Sequence, residues 1–317
     1  MTLKYREIEG ATMKIRLTKT KLLVSIFGLS FGLIVTANAN LPLNNKNKSQ
    51  QNYNKIVDTI YLEYKDIYAK KGLKFKINSD WNSTTENASA KRLKFGDTVA
   101  SLDVFGALYR NNYITNDSFL LVLCHELGHH LAGEPIKAGS LSASAEGQAD
   151  YFATHLCMPK ILSKEDNQFW SRNNSVDFKV KLKCDQTWGL NRTRSLICQR
   201  TIAAADDLVQ FFNGKLADGQ VGSTVFNPDR SKVKSTNTHG YPPNQCRLDT
   251  YVAGALCKTE NISGMNKNRN CSFTNAFENK AIRPACWFGY PQHAAQISTE
   301  QSVHLPPILV STGSVSR

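Results

Sequence analysis

FLLVLCHELGHH, residues 119–130, joins an apolar run to two histidines that flank a glutamate. The apolar residues predict one buried helix from about residue 117 to 132. Because residues four apart on a helix lie on one face and one turn apart, His125 and His129 can offer imidazole nitrogens to the same metal ion. Glu126 is offset by about 100° around the helix. Its carboxylate therefore lies beside that ion, where a general base for a metal-activated water is needed.

A second interpretation of this helix is structural, with histidines that are four apart by chance and hydrogen-bonded in the core. Burial of unpaired polar groups costs several kcal/mol. Two imidazoles and a carboxylate on one apolar helix are difficult to satisfy without an ion, and this favours the metal site.

The chain does not continue as a metzincin would. A hydrolytic metal site needs a third protein ligand and an open position for water. In metzincins the motif continues with Gly and His at the positions that Ala132 and Pro135 occupy here. The third ligand must therefore come from elsewhere.

A second helix supplies two candidate carboxylates. The segment AEGQADYFA, residues 145–153, places Glu146 and Asp150 four apart, on one face of a helix predicted near 143–157 and ended soon after by Pro159. We assign Glu146 to the metal and Asp150 to the second ring nitrogen of the first histidine, the usual division of labour around a metal-bound imidazole. The alternative is a solvated acidic face, which the apolar neighbours of both residues oppose.

Together these residues resemble the gluzincin zinc metallopeptidases, in the branch where HExxH is followed by ExxxD on the next helix. The resemblance covers about residues 97–250 and is specific at 124–153. It implies an α+β fold: a zincin-like metallopeptidase core with a metal-binding helix pair and a small edge-strand sheet. The implied cofactor is Zn²⁺, held by His125, His129 and Glu146.

Two further segments are similar to that family. Residues 98–109 resemble the strand and glycine-containing turn that border the cleft, and we expect this strand to pair with an extended substrate backbone. Residues 235–247, STNTHGYPPNQCR, resemble a downstream segment from which a histidine helps to stabilise the oxyanion. That gives His239 a catalytic role and Arg247 a supporting one. The match departs from the family at Gly240-Tyr241, and the alternative is a loop histidine with no catalytic part.

The N-terminus has the three parts of a secretory signal peptide. Basic residues from Lys14 to Lys21 precede an apolar stretch over 22–35, and Ala37-Asn38-Ala39 forms an A-x-A cleavage site. We expect cleavage near Ala39 and an exported protein, periplasmic or secreted, with Met13 a candidate start. An uncleaved anchor is the alternative.

Eight cysteines, an even number in an exported chain, favour disulfide bonds. Cys124 and Cys157 flank the two metal helices and could join them. Pairing of near neighbours further predicts Cys184 with Cys198 and Cys271 with Cys286. The rival possibility, a second zinc site, is opposed by the lack of any C-x2-C pair in the sequence.

The predicted organisation has four segments. These are a signal peptide (1–39), an N-terminal leader and helix (40–95), a zincin-like peptidase domain (96–260) and a disulfide-stapled C-terminal extension and tail (261–317). Apolar spacing further predicts helices over 53–70, 202–212 and 248–256, a short strand over 74–77 and a loop over 78–87.

The charge of the chain carries less information. Removal of residues 1–39 would take away six basic and two acidic side chains and lower the net charge from +13 to +9. The nearest thing to a basic patch is Lys179, Lys181, Lys183, Arg192 and Arg194. We expect no nucleic-acid partner, because no binding motif is recognisable in an exported chain. Peripheral contact with an anionic membrane surface is compatible with this charge.

The function that these patterns predict is an exported zinc-dependent metalloendopeptidase, which hydrolyses a protein or peptide substrate. Glu126 would act as its general base. One alternative is a cell-envelope zinc-binding assembly or chaperone-like factor with gated or negligible peptidase activity. Another is a metal hydrolase that cleaves a non-peptide bond, such as a cell-wall amide.

Overall fold

The computed structural model describes residues 48–91, 96–214, 222–258 and 282–290. The predicted signal peptide (1–39), Cys271 and the tail over 298–317 lie outside these ranges. Among the helices in the described ranges, none has both the length and the apolar character that crossing a membrane requires.

Nine α-helices and three strands make up the described part of the chain, which is an α+β structure. In chain order they are α1 (Gln50–Ala69), β1 (Lys74–Asp80), β2 (Ala88–Ala90), β3 (Val99–Phe105), α2 (Gly106–Arg110), α3 (Asn116–Leu131), α4 (Glu146–Phe152), a π-helical turn (Ala153–Cys157), α5 (Met158–Leu162), α6 (Asn167–Asn173), α7 (Phe178–Trp188), α8 (Arg192–Asn213) and α9 (Asn244–Leu256).

The three strands form one mixed sheet in the order β1-β3-β2. β3 pairs in parallel with β1 and antiparallel with β2, so both of its edges are occupied. The prediction that the strand near 98–109 pairs with a substrate backbone is therefore wrong. The strand with an open edge beside the predicted site is β2, which lies just after the predicted loop over 78–87. With only three residues, β2 gives no alternating pattern that a sequence could show.

Helix α1 packs its apolar stripe against the sheet and α3. Tyr53, Ile56 and Ile60 are buried, and the hydroxyl of Tyr53 donates to the carbonyl of Val104 in β3 at 2.9 Å. The segment predicted as 40–95 thus shares its sheet and its core with the segment that follows it.

Helix α3 is the centre of the fold and is buried along most of its length. Its N-cap is Thr115, whose side chain accepts from the Ser118 amide at 3.2 Å while the Thr115 amide donates to Ser118 Oγ at 2.7 Å. Asp117 follows in the first turn and accepts two bonds, at 2.9 and 2.7 Å, from the fully buried Arg200 of α8. A polar first turn can therefore lie in the core because every charge in it has a partner.

The helix predicted near 143–157 extends past its predicted end. α4 passes through the π-helical turn into α5, and Pro159 lies in the first turn of α5, where proline needs no amide donor. The prediction that Pro159 ends this helix is wrong for that reason. Cys157, at the end of the π-helical turn, is bonded to Cys124 of α3, and this disulfide is one of those predicted.

The predicted helix over 202–212 is part of a longer one, α8, which begins at Arg192. Polar residues at its start hide the helical pattern. The predicted Cys184–Cys198 disulfide joins α7 to α8.

The C-terminal segment over 282–290 packs onto the second metal helix. Trp287 is fully buried, and a Cβ on Gly147 of α4 would lie 2.3 Å from its indole ring. Cys286 is bonded to Cys246 at the start of α9, with a Cα–Cα distance of 5.9 Å. The predicted Cys271–Cys286 pair is therefore wrong, because packing of this segment brings Cys286 to α9 rather than to its neighbour in sequence. Cys257 is also disulfide-bonded.

Candidate metal centre

Three potential ligand atoms converge where α3 meets α4. Oε2 of Glu146 lies 3.3 Å from Nε2 of His125 and 3.4 Å from Nε2 of His129. All three side chains are buried. The structure therefore brings the three predicted ligands into one cluster, and the first turn of α4 supplies the carboxylate.

Hydrogen bonds fix the tautomer of both histidines. Nδ1 of His125 donates to Oδ1 of Asp150 at 2.7 Å, and Nδ1 of His129 donates to the backbone carbonyl of Ser144 at 2.9 Å. Because a carboxylate and a carbonyl can only accept, the proton of each neutral ring lies on Nδ1. The Nε2 lone pairs are then directed into the cluster. This is the arrangement expected for metal-binding histidines.

The donor set fits a divalent cation. Two Nε2 lone pairs and a carboxylate oxygen face one another, and Oε2 of Glu146 is buried with no hydrogen-bond donor among the described residues. Three acceptors at such short range repel one another unless a positive charge lies between them. Two imidazole nitrogens with one carboxylate, and room for a fourth ligand, is a ligand set that catalytic Zn²⁺ uses.

The electrostatics of the cluster also favour a cation. Burial alone would lower the pKa of His125, but the carboxylates of Asp150 and Glu146 raise it to about 10. Burial would raise the pKa of Glu146, but its contacts with His125 and His129 hold that pKa well below its usual range. The site therefore holds more negative charge than the surrounding protein compensates, and it attracts either a proton or a metal ion.

Glu126 lies beside the cluster, as the helical offset requires. Its Oε2 accepts a hydrogen bond of 2.7 Å from the backbone amide of Ala90, on the open edge of β2. Burial raises the pKa of this carboxyl, against the opposing charges of His125 and His129. A carboxyl with a raised pKa is suited to accept and release a proton near neutral pH.

Arg247 of α9 forms an ion pair with Asp150. It donates two hydrogen bonds of 2.8 Å to the carboxylate and one of 3.0 Å to the hydroxyl of Tyr251. Burial would raise the pKa of Asp150, but the charges of Arg247 and His125 hold it at about 2. Asp150 is therefore ionised and fixed in place, so it orients His125 without rotating.

His239 does not lie at the cluster. It is exposed, its ring is 3.5 Å from the Thr238 hydroxyl, and it does not line either of the two cavities that contact Glu126. Tyr241 lines both cavities, and its ring lies 4.9 Å from the Arg247 guanidinium. Tyr241 is one of the two residues, Gly240 and Tyr241, at which this segment departs from the family. That departure was the only feature of the sequence that pointed to Tyr241.

The two cavities differ in character. One of about 340 Å³ is lined largely by apolar side chains, including Val122, Leu208, Phe211 and Phe212. The other, of about 140 Å³, is more polar and contains two lysines, Lys91 and Lys137. Ala88, Glu126 and Tyr241 line both. The two cavities are thus parts of one cleft that follows the open edge of β2.

Two side chains near the cluster have roles that the sequence did not suggest. Lys137 donates to Oε1 of Glu146. Nε2 of His130 donates to the carbonyl of Lys91 at 2.7 Å, which leaves Nδ1 to accept from the Tyr68 hydroxyl at 2.9 Å. Both ring nitrogens of His130 are therefore occupied, and this histidine joins α3 to α1 rather than facing the cluster.

Comparisons with protein-family models, with curated proteins and with solved structures found no match to this chain. The resemblance to gluzincins therefore rests on the residues described above.

Proposed function

We propose that this protein is an exported zinc-dependent metalloendopeptidase. The observation that carries the proposal is the convergence of Nε2 of His125, Nε2 of His129 and Oε2 of Glu146 in one buried cluster, in which that carboxylate oxygen has no hydrogen-bond donor among the described residues. Glu126 lies beside them at the cleft. Without a cation, only a protonated imidazole could supply a donor to this oxygen, across 3.3 or 3.4 Å, which is longer than a charge-assisted hydrogen bond of about 2.7–2.9 Å.

Zinc, when bound, supplies polarisation of the scissile carbonyl and a lowered pKa for the attacking water. Glu126 would take a proton from the attacking water and deliver it to the leaving amine nitrogen. Its raised pKa brings the carboxylate closer to the range in which it can do both. Asp150 and the Ser144 carbonyl keep the two imidazoles in the tautomer that leaves Nε2 free.

The open edge of β2 is the proposed binding surface for the substrate backbone. An extended peptide can add as a strand to such an edge through main-chain hydrogen bonds. The cleft beside β2 then receives the side chains of the peptide. The apolar cavity of about 340 Å³ is large enough for an aromatic or long aliphatic side chain close to the scissile bond.

Tyr241 is the proposed donor to the oxyanion. Its hydroxyl is protonated near neutral pH and can donate a hydrogen bond. It lines the cleft next to Glu126, where the structure does not place His239. Tyr241 is 65% exposed, and a donor to the oxyanion typically contributes about 10²–10³ in turnover.

Export is part of the proposal. It rests on the signal-peptide pattern over 1–39, and the Cys124–Cys157, Cys184–Cys198 and Cys246–Cys286 disulfides are consistent with it because such bonds persist in oxidising compartments.

The decisive experiment uses the purified mature chain and Glu126→Gln. Zinc content and cleavage of denatured proteins and peptide libraries are measured together. We expect wild type to bind one zinc per chain and to cleave, and Glu126→Gln to keep zinc and lose cleavage. Glu134→Gln, the same substitution at an exposed glutamate, is the control and should behave as wild type. Absence of zinc from the wild type, or undiminished cleavage by the variant, would refute the proposal.

One observation favours the alternative, a zinc-binding assembly factor with gated activity. The amide of Ala90 occupies one oxygen of Glu126, so the general base is already engaged by the strand that substrate would contact. For such a factor, Glu126→Gln would keep its cellular function. Cell-wall fragments, added as a parallel substrate, identify a hydrolase of non-peptide amides.

A further inference from the structure

Lys137 makes the most unusual contact at the metal centre. Its ammonium group donates to Oε1 of Glu146, while Oε2 of the same carboxylate faces the two Nε2 atoms. One oxygen of the third ligand is therefore held by the protein and the other is left for the metal. Glu146 is almost completely buried, with 2% of its surface exposed, so water is a poor substitute for the lysine.

The loop that carries Lys137 is held by several backbone hydrogen bonds. The Lys137 amide donates to the Ala143 carbonyl at 2.7 Å, and the Ala138 amide donates to the Thr238 carbonyl at 2.9 Å. The Ser144 amide donates to the His129 carbonyl at 2.9 Å. Because these bonds already fix the backbone of the loop, Lys137 loses little further conformational freedom when it pairs with Glu146. It can therefore hold the carboxylate in one position.

This loop supports two of the three ligands. Its Ser144 carbonyl holds His129 through Nδ1, and its Lys137 holds Glu146 through Oε1. His125 receives the equivalent support from Asp150. Each ligand thus has one partner that fixes the orientation of the atom facing the metal.

We propose that Lys137 is a positioning residue that fixes Glu146 as a ligand through one oxygen only. By occupying Oε1, it prevents the carboxylate from turning both oxygens toward the ion, and it keeps the remaining coordination position open for water. This inference rests on the proposed metal site, but it does not require that the protein be a peptidase.

Two effects of the lysine oppose each other. Its positive charge repels a nearby cation, so removal of the charge alone would strengthen zinc binding. Its hydrogen bond holds a buried carboxylate, so removal of the donor leaves Oε1 unsatisfied and Glu146 free to rotate. We expect the second effect to dominate, because partners that orient metal ligands are worth about 10–100-fold in metal affinity.

Three substitutions separate charge from hydrogen bonding. Lys137→Met removes both and should weaken zinc binding about 10–100-fold, measured by competition with a chelator of known affinity. Lys137→Gln keeps an N–H donor without the charge and should bind zinc more tightly than Lys137→Met. Lys91→Met is the matched control, since Lys91 lines the same cavity but pairs with Asp103 at 3.6 Å, and should bind zinc as wild type does.

A spectroscopic readout tests the coordination mode directly. The visible absorption of the Co²⁺-substituted protein depends on coordination number. We expect Lys137→Met to lose intensity as Glu146 becomes bidentate, whereas Lys91→Met keeps the wild-type spectrum. Thermal unfolding of the metal-free variants verifies that they are folded. If Lys137→Met does not fold, the comparison of Lys137→Gln with wild type provides the test.

The inference is overturned if Lys137→Met binds zinc as tightly as wild type, or if the cobalt spectrum of Lys137→Met is the same as that of wild type. The inference is also overturned if Lys137→Gln binds zinc more weakly than Lys137→Met does. Reduced peptide cleavage with unaltered zinc affinity would mean that Lys137 contacts substrate instead. A wild-type protein without zinc affinity would defeat the metal site itself, and zinc binding without cleavage would defeat only the proposed peptidase activity.

Discussion

Arg247 and Asp150, 97 residues apart in sequence, form a buried ion pair through two parallel hydrogen bonds of 2.8 Å. Asp150 is also the residue that orients His125. The pair therefore joins α9 to the candidate metal centre, and damage to the pair should affect both stability and the proposed metal binding.

Arg247→Met tests this connection. It leaves the Asp150 carboxylate buried with His125 as its remaining charged partner, which typically costs about 3–5 kcal/mol. We expect a loss of this size in the free energy of unfolding, measured by urea titration, together with weaker zinc binding. The control is Arg192→Met, which breaks an exposed ion pair with Asp185 and should cost less than about 1 kcal/mol. Equal losses for the two variants would contradict the prediction.

Gly128→Ala tests how closely the two metal helices must approach. A Cβ at Gly128 would lie 2.8 Å from the Ala149 Cα and 2.9 Å from its carbonyl oxygen. Because both contacts are backbone, α3 and α4 must move apart, and Glu146 moves with α4. We expect a loss of about 1–3 kcal/mol in stability, despite the better helix propensity of alanine, and a measurable loss of zinc affinity.

Gly240→Ala is the control for that substitution. No heavy atom lies within 4 Å of a Cβ at Gly240. The prediction fails if the two glycine variants bind zinc equally well.

Removal of the Cys124–Cys157 disulfide, by a double alanine substitution, should affect both stability and metal binding. This bond joins α3 to the helix that carries the third ligand. Disulfides of this kind contribute about 2–4 kcal/mol, and zinc affinity should fall with the alignment of the two helices.

The Cys184–Cys198 disulfide serves as the comparison, because it joins α7 to α8 rather than the two metal helices. The corresponding double alanine variant should lose stability but retain zinc affinity. Isothermal titration calorimetry with zinc measures the affinity of each folded double alanine variant. A loss of affinity in both would show that the effect is global.

Tyr241→Phe and His239→Ala identify the donor to the oxyanion. Because Tyr241 lines the cleft and His239 does not, we expect Tyr241→Phe to lower kcat about 10²–10³-fold with zinc content unchanged. His239→Ala should leave kcat close to the wild-type value. The reverse result would restore the role that the family resemblance implies for His239.

Asp249 should make stability depend on pH. Burial raises the pKa of its half-buried carboxyl to about 6, although the amide of Asp229 donates to it at 2.6 Å. The folded state therefore keeps this proton to higher pH than the unfolded chain, where an aspartate has a pKa of about 3.9. The stabilisation is complete below about pH 4 and is lost as pH rises to about 6.

Asp249→Asn removes this titration. The difference in unfolding free energy between variant and wild type should change by about 1–2 kcal/mol between pH 4 and about 6.5 and should be constant above that range. Urea titrations across this range provide the measurement. A difference that is independent of pH would show that Asp249 does not titrate as expected.

The strongly patterned helices were predictable from sequence, and the short elements were not. The apolar run of α3 predicted that helix to within a residue at each end, because a long buried helix leaves a continuous signal. β2 has three residues and no periodicity, so the strand beside the cleft was assigned wrongly to β3. The start of α8 was missed because its first turns are polar.

Contacts within the site also divide into those that the sequence predicts and those that it does not. Helical spacing, which is local information, places His125 with His129 on one face and Glu146 with Asp150 on another, and the resemblance to gluzincins implied that the two faces meet. The contact of Lys137 with Glu146 depends on the path of a loop, and that of Cys246 with Cys286 depends on how a distant segment packs. Neither leaves a local pattern in the sequence.

The dependence of His125 on α9 has a consequence for how the chain matures. Arg247 reaches Asp150 only after α9 has docked against α4, and α9 is the last helix in the described part of the chain. Under the proposed function, a chain whose α9 has not docked lacks this support for His125 and therefore binds the metal less tightly than the complete fold does. Such a chain would cut its own unfolded segments less readily than the mature peptidase would.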